Sequence, residues 1–436
     1  MAGQGKGVLP FAATQLQAKR LLPVKNLALP GAFHKAAAED ILPGGLEHLF
    51  HFRIVAKALQ FFSGHPTKVR PCFFYFPLMA KRVLYGVLNW GLGHATRSKV
   101  LIDNLLHAGH DVVLASDGLS AQWLQRTFPA LELRSLPAYR IAYSNTGLGF
   151  LPKMLAQLPR LAACLREETR LLSRWQARDG FDALISDHRL GLHHPDLPTA
   201  LLAHQWHLPV PFSALASWAQ DRYLRRFDHH WFPDYPDRPF SGRLSRSTHP
   251  KLASSLRAIG PLSRFEGEKP GQGRHLLAIL SGPEPQRSLL EAKIIAQAAE
   301  LDEPLHLVSG RPGPPPKGLP PSVQWYGILE GMELSALLLG ARLVIGRSGY
   351  SSIMDYAALG KRALLIDTPG QGEQAYLARF HAERGHFQWC KQAELDLPRL
   401  LSAGEGQAVA LPFRPERNRA LRGEALAALF QGKIEG

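Results

Sequence analysis

Short apolar runs alternate with longer amphipathic segments from residue 79 onwards. Ahead of a stretch rich in proline, glycine and charge, the apolar runs predict strands at 83–88, 111–115, 131–136 and 183–186. Beyond that stretch they predict strands at 276–280, 305–309, 323–326, 343–345 and 363–366. Segments of helical character lie between them, and two of these begin near Ala95 and Leu119. The alternation predicts an α/β fold with helices on both faces of parallel sheets.

The stretch between the two series, residues 260–274, predicts an interdomain linker because proline, glycine and charge dominate it. We therefore expect two doubly wound, Rossmann-like domains at 79–259 and 275–436, facing a central cleft. Ligands of such domains bind at the carboxyl ends of the strands. The last helix of the second domain can pack back on the first.

The first 78 residues lack this alternation. They carry nine lysine and arginine residues against three acidic residues, and prolines interrupt their apolar patches. Met79 then opens MAKRVLYGVLNWGLGH, where a strand pattern directly follows a methionine. We expect residues 1–78 to be an upstream extension, from a misplaced start or a poorly structured leader. A genuine additional N-terminal segment is the alternative.

Composition narrows the choice of partners. A chain of 436 residues that is 45% hydrophobic can hold two or three domains. Its net charge of +15 indicates an anionic partner: nucleic acid, an acidic membrane surface or a phosphorylated substrate. Patterns typical of nucleic-acid binding are missing from the sequence, so nucleic acid is not expected. The scattered cysteines Cys72, Cys164 and Cys390 predict a reducing, cytoplasmic setting.

The segment 343–374 is the strongest candidate for a ligand site. Its glycine turn at 346–349 would leave backbone N–H groups free at a helix start, which suits a diphosphate. A carboxylate in that helix can reach ribose hydroxyls, and a Glu-Gln pair beyond the next strand can bind sugar hydroxyls. These candidate ligands are Arg347, Ser348, Gly349, Ser351, Asp355, Glu373 and Gln374. For Ser351, a local hydrogen bond in the first helical turn is the alternative.

A second turn, NWGLGHATR at 89–97, lies between the first predicted strand and helix. Gly91 and Gly93 permit a tight turn and a close backbone approach, and His94 stands at the mouth of the helix. Imidazole titrates near neutral pH, so His94 is a candidate general base. A glycine turn whose histidine only caps the helix is the alternative.

A third turn, at 280–287, opens the second domain. Ser281 and Gly282 can contact phosphate or sugar oxygens, and Arg287 can reach a diphosphate. Pro283 and Pro285 also suit the start of a helix, which is the structural alternative.

Asp187 ends a predicted strand on the cleft side of the first domain, where an acceptor hydroxyl would be bound. His188 and several other histidines follow, but no HExxH or recurring two-ligand spacing supports a metal. A basic amphipathic segment at 148–175 could lie on an anionic membrane. Covering its own sheet is the preferred interpretation of that segment.

Taken together, these motifs resemble the two-domain GT-B glycosyltransferases, close to glycosyltransferase family 28. That family includes the muramyl-lipid N-acetylglucosaminyltransferase of peptidoglycan synthesis. The resemblance runs from Met79 to the C-terminus and is strongest at NWGLGHATR, SGPEPQR, GRSGYSSIMDYAALGK and PGQGEQ. ISDHRLGL, ALLAHQ and IGPLSRF are similar to an uncharacterised bacterial subgroup. Trp90 and Leu92 replace a more glycine-rich run of the family, which implies a different acceptor surface.

The resemblance implies an inverting, metal-independent hexosyl transfer from a UDP-sugar, which is a co-substrate, with no cofactor. His94 would be the base, with Asp187 as second choice. By position, the resemblance implies donor binding by Ile328, Leu329, Ser348, Gly349, Asp355, Glu373 and Gln374. With the candidates named above, the expected donor side also includes Gly93, Ser281, Gly282, Arg287, Arg347 and Ser351. On the acceptor side we expect Trp90, Gly91, His188 and Gln205.

The expected acceptor is a small or lipid-linked glycan. The expected location is cytoplasmic, and contact with the inner face of the plasma membrane is left open. Two other functions stay open at this point. A nucleotide-sugar 2-epimerase shares the fold but acts on the donor alone. A catalytically silent protein that binds sugar nucleotides is the non-enzymatic alternative.

Overall fold

The computed structural model describes residues 80–139, 150–206, 223–247, 250–269, 271, 273–402 and 409–432. They belong to one compact unit, Tyr75–Gly436. The expectation of an upstream extension concerns residues 1–78, which lie outside the described residues, and it stays a prediction.

The first half of the described chain is built on a seven-stranded sheet of order β3-β2-β1-β4-β5-β6-β7. Its strands are β1 (Arg82–Val87), β2 (Asp111–Ser116), β3 (Leu133–Ser135), β4 (Ala183–Asp187), β5 (Thr199–Leu202), β6 (His229–Phe232) and β7 (Leu256–Ala258). All neighbouring strands pair in parallel. The helices of this half are α1 (Leu92–His107), α2 (Gly118–Thr127), α3 (Phe150–Asp179) and α4 (Pro250–Ser255).

The second half is built on a six-stranded sheet of order β10-β9-β8-β11-β12-β13. Its strands are β8 (His275–Ile279), β9 (Leu305–Val308), β10 (Val323–Tyr326), β11 (Ala341–Arg347), β12 (Ala363–Asp367) and β13 (Gln388–Lys391), again all parallel. The helices are α5 (Gln286–Ala298), α6 (Gly331–Gly340), α7 (Tyr350–Ala358), α8 (Gly372–Ala382), α9 (Leu397–Ser402) and α10 (Pro415–Phe430), with a short 3-10 helix at Gln392–Glu394.

The central strands are apolar throughout because both of their faces are covered. On β1, Val83 and Tyr85 belong to one hydrophobic core, whereas Leu84 packs on the opposite face with Leu172 of α3. β11 shows the same division between Val344 and its neighbours. Strands buried on both faces are typical of doubly wound α/β sheets.

One hydrophobic core continues from the first half into the second. Tyr235 and Phe240 of the first half share it with Tyr350 and Ile353 of α7. Residues 259–274 connect the last strand of the first sheet to the first strand of the second. From α10, Nε of Arg422 donates to Oδ1 of Asn104 on α1 at 2.8 Å, so the C-terminal helix lies against the first half.

The α/β class and the two parallel, Rossmann-like sheets confirm the fold predicted from the sequence. Every predicted strand is present, but β11 extends to Arg347, two residues beyond its predicted end. The prediction missed β5, β6, β7 and β13. These strands are only three or four residues long, which is too short for a periodic signal.

The basic amphipathic segment forms α3 and covers its own sheet, as preferred. Leu165 and Leu172 are buried, whereas Arg160, Arg166 and Arg170 are exposed. Of the helices that the structure describes, none has the length and apolar character to cross a membrane.

Candidate active site

The strand order of the first sheet reverses between β1 and β4, which are parallel neighbours at its centre. Helices leave opposite faces at such a point and a crevice opens at the strand ends. The β1 strand leads there into Gly91, whose φ of 76° places it in the left-handed region, and α1 begins at the next residue. Asp187 is the last residue of β4. The glycine turn and this carboxylate therefore meet at one edge of the sheet.

Asp187 is fully buried and collects hydrogen bonds from α1. Arg97 donates through Nε to Oδ2 at 2.8 Å and through Nη2 to Oδ1, and Ser98 donates to Oδ2 at 3.0 Å. Burial alone would raise the pKa of the Asp187 carboxyl, but the Arg97 charge and the hydrogen bonds to Arg97 and His94 hold that pKa well below its usual range. Asp187 is thus a permanent anion, which suits orientation of a base better than proton transfer.

His94 lies beside this anion in the first turn of α1, with 10% of its side chain exposed. Its Nδ1 is 2.8 Å from Oδ1 of Asp187. The same Nδ1 lies 3.0 Å from Nη2 of Arg97, which can only donate, so its two partners favour opposite tautomers. The tautomer with its proton on Nδ1 donates to the Asp187 carboxylate and leaves the Nε2 lone pair available. Burial, followed by the nearby Arg97 charge, lowers the pKa of His94. A neutral imidazole with one free nitrogen can act as a general base.

A chain of polar contacts continues from Arg97 into the second half. Its Nη1 lies 2.8 Å from Nδ1 of His204, and Nε2 of His204 lies 2.9 Å from Oε1 of Glu373. The His204 ring stacks on Tyr350 of α7, with centroids 4.8 Å apart. The His94–Asp187 dyad and the predicted sugar-binding carboxylate of Glu373 therefore belong to one network.

His188 follows Asp187 with a φ of 60°, a left-handed conformation that is uncommon for a side chain other than glycine. Next to it, Arg189 is fully buried and pairs with Asp117 at 2.8 Å and with Glu168 at 2.7 Å. These ion pairs hold the strained turn in place. The His188 ring stands 5.5 Å from that of His94, and its role in binding the acceptor stays a prediction.

Two turns of the two halves touch each other at the site. Ser351, in the first turn of α7, donates to the carbonyl of Gly93 at 3.1 Å. A Cβ on Gly93 would stand 2.9 Å from the Ser351 hydroxyl, so glycine permits this approach. Gly349 caps α7 through its backbone. Ser348 is buried and donates to the carbonyl of Gln374 at 2.9 Å, which ties the turn before α7 to the Glu-Gln pair.

Arg287 and Arg347, which were expected to bind a diphosphate, bind other groups of the protein in this conformation, and their predicted role stays a prediction. Arg287 is buried and bonds to Glu291 at 3.0 Å and to the carbonyl of Ser309 at 3.1 Å. Because β11 extends to Arg347, that side chain points into the protein and donates to the Asp367 carbonyl at 2.9 Å and to the Gln392 amide oxygen at 2.7 Å. Both guanidinium groups bind the protein itself.

Asp355 is also engaged by the protein in this conformation. The Ser263 hydroxyl donates to its Oδ1 at 2.7 Å, and Nε of Arg264 lies 3.3 Å from Oδ2. Burial raises the pKa of this carboxyl even against the Arg264 charge. A ribose would have to share Asp355 with the linker, so its predicted role stays a prediction.

The structure does not assign a role to the remaining predicted residues. Exposed positions are Trp90, Gly91, Ser281, Gly282 and Ile328, and half-buried ones are Gln205 and Leu329. Gln374 accepts from the hydroxyl of Thr368 at 2.9 Å. These assignments stay predictions.

The trio His94, Asp187 and His188 offers ligand atoms within 4.8 Å of one another, as a metal ion requires. Arg97 already donates to both Asp187 oxygens. A divalent cation there would stand beside a buried guanidinium, so this donor set suits a metal poorly.

Arg97, Ser98, His204 and Tyr350 are the site residues that the sequence did not assign. Arg97 is the last residue of the NWGLGHATR motif. Its position three residues after His94 is the signal that could have pointed to it. No motif in the sequence assigns His204, yet only 12% of its side chain is exposed and both ring nitrogens have partners.

Two glycosyltransferase family models match this chain, one in each half. Residues 81–230 match the model of glycosyl transferase family 1, and residues 321–407 match the C-terminal domain of glycosyltransferase family 28. An uncharacterised glycosyltransferase of Methanosarcina acetivorans is 26% identical over 334 residues, which cover 70% of this chain and 84% of that protein.

Solved glycosyltransferase structures share the fold. The calicheamicin glycosyltransferase matches with a TM-score of 0.52 at 14% identity, over 80% of this chain and 95% of its own. A glycosyltransferase from Streptomyces nogalater matches with a TM-score of 0.51 at 17% identity, over 80% of this chain and 100% of its own. The chain is a glycosyltransferase of the GT-B fold, with a family 1 match in its first half and a family 28 match in its second.

Proposed function

We propose that the protein transfers a sugar, with inversion, from a nucleoside diphosphate sugar to an acceptor hydroxyl, and that His94 is the base. The observation that carries this proposal is the 2.8 Å contact between Nδ1 of His94 and Asp187. It sits at the crevice edge where the first half meets α7. The contact orients the ring, and the lowered pKa keeps it neutral.

The reaction is a single displacement. The acceptor oxygen forms a bond to the anomeric carbon while its proton passes to Nε2 of His94. The bond from that carbon to the diphosphate oxygen breaks, and the nucleoside diphosphate leaves with the electron pair. Attack opposite the leaving group inverts the anomeric configuration.

The donor would bind against the second half. The start of α7, after Ser348 and Gly349, offers backbone N–H groups and a positive helix end for the diphosphate. Glu373 and Gln374 would meet the sugar hydroxyls, and the loop around Ile328 would meet the base. A solved spinosyn rhamnosyltransferase carries thymidine diphosphate, so dTDP-sugars belong beside UDP-sugars among the donors to test. No metal enters this mechanism because fixed dipoles would stabilise the diphosphate.

A glycan, small or lipid-linked, is the proposed acceptor. The exposed arginines of α3 support contact with an anionic surface such as the inner face of a membrane. This contact and the cytoplasmic location are parts of the proposal.

Release of nucleoside diphosphate from a panel of UDP-, dTDP- and GDP-sugars, with glycan and lipid-linked acceptors, tests the reaction. We expect His94→Gln to lower kcat/KM by about 10²–10⁴-fold, the usual contribution of a general base. UDP affinity should stay within about twofold, since His94 touches the acceptor and not the nucleotide. His107→Gln, at the exposed end of the same helix, is the matched control. Unchanged turnover in His94→Gln would remove His94 as the base.

A further inference from the structure

His204 is a residue of the first half that reaches the dyad and the donor side together. It follows β5 in the chain and has hydrogen-bond partners on both ring nitrogens. One partner is Arg97, which also holds Asp187, and the other is Glu373 at the start of α8. It has no place in the proposed transfer of the proton.

The chemistry of the two partners determines the tautomer of His204. Arg97 can only donate, so Nδ1 must accept; Glu373 as a carboxylate can only accept, so Nε2 must carry the proton. The hydrogen bonds therefore run in one direction: the Arg97 guanidinium donates to His204, and His204 donates to the Glu373 carboxylate.

The ring is also held in orientation. It stacks on Tyr350 with an interplanar angle of 9°, and the Tyr350 hydroxyl donates to the Pro233 carbonyl at 2.7 Å. His204 is fixed by contacts from both halves, and it fixes Oε1 of Glu373. The Glu373 side chain keeps 29% of its surface exposed, which a ligand can meet.

We propose that His204 is a positioning residue that sets the orientation of Glu373 toward the donor sugar. Recognition of the sugar by the second half then depends on a histidine of the first half. This inference rests on the proposed function, in which Glu373 binds sugar hydroxyls.

The test compares affinities for UDP, UDP-glucose and UDP-galactose, or the dTDP series if the wild-type protein prefers it, in three variants. We expect His204→Ala to weaken binding of the sugar nucleotide about tenfold relative to the nucleotide alone, the effect of losing one charged hydrogen bond. Donor KM should rise more than kcat falls. In His204→Gln the amide can accept from Arg97 and donate to Glu373, so most of the loss should be recovered. His193→Ala, a histidine outside the network with Arg226 as its partner, is the control.

A second measurement needs no ligand. The melting temperatures of His204→Ala, Glu373→Ala and the double variant report whether the pair is coupled, and the double variant should lose less than the two single losses combined. Additive losses, or equal weakening of UDP and UDP-glucose in His204→Ala, would overturn the inference. If the variants show the coupling but the wild-type protein transfers no sugar, the proposed function is contradicted instead.

Discussion

The acids at the centre of the site have cationic or hydrogen-bonding partners from distant parts of the chain. Asp187 ends β4, and its guanidinium partner Arg97 lies on α1, 90 positions away. Glu373 in α8 is paired with His204, 169 positions away. Burial would raise the pKa of Glu373, but the His204 hydrogen bond and the Arg97 charge lower that pKa overall. Both carboxylates are thus held as anions.

The lowered pKa of His94 predicts the pH dependence of transfer. A general base must be unprotonated, so activity falls as the pH falls through this pKa. Because burial and Arg97 lower the pKa from 6.5, the acidic limb of kcat/KM should have its midpoint below that value. Arg97→Met removes the second of these two causes and should move the limb to higher pH. Profiles of kcat/KM against pH measure this.

Arg97→Lys is the matched variant, since it keeps a positive charge near His94 while losing the paired contacts with Asp187. The acidic limb of its kcat/KM profile should keep a midpoint close to that of the wild type, even if its rate falls. An identical midpoint in Arg97→Met and wild type would contradict the assignment of His94 as the titrating base.

Local rules identified His94 and Asp187, since a glycine turn before a helix and a carboxylate at a strand end are visible in sequence. They did not show that Arg287 and Arg347 are buried against protein groups, because an arginine near a phosphate-binding turn was expected to face the ligand. Arg97 is buried on a helix, which no amphipathic pattern predicts. Its position depends on a partner brought close only by the sheet.

Among the elements, the apolar strands buried on both faces were predictable, whereas β5, β6, β7 and β13 were not. β1 and β12 have apolar residues on both faces, and such runs are clear in the sequence. His229–Phe232 reads HHWF, in which half of the residues are polar, yet its four residues are buried. Its cover comes from α4 and the loop near Leu224, where Nε2 of His230 bonds to the Leu224 carbonyl at 2.9 Å. Tertiary cover of this kind leaves no local periodicity.

Helix α10 makes a testable contribution to the stability of the molecule. Arg422 pairs with both oxygens of Glu266, at 3.0 and 2.8 Å, and its side chain is 3% exposed. Arg422→Ala would leave the Glu266 charge without its partner. We expect the free energy of unfolding to fall by about 3 kcal/mol, the lower end for breaking a buried ion pair.

Chemical denaturation measures this loss, with Arg419→Ala as the control on the same helix. Arg419 is exposed, so its removal should change the free energy of unfolding by less than about 0.5 kcal/mol. Equal effects of the two substitutions would show that the Arg422 contacts contribute nothing specific.

At the scale of the whole molecule, each half supplies what the other lacks. The first half brings the His94–Asp187 pair, and the second brings a helix start without a side-chain cap and the Glu-Gln pair. They are joined by the shared core, by the Ser351 to Gly93 hydrogen bond and by the His204 to Glu373 contact. The site is thus a property of the assembled halves and not of either sheet.

The charges at the site also determine whether transfer should need a divalent metal ion. The donor diphosphate would meet backbone N–H groups at α7, and Asp187, the carboxylate of the metal-like trio, is already bound by Arg97. We therefore expect transfer to continue within about twofold in millimolar EDTA, because fixed dipoles replace the metal. Loss of activity that Mn²⁺ restores would contradict this. His188→Ala would then locate the ion: if restoration disappears in this variant, the metal sits at the trio and competes with Arg97 for Asp187.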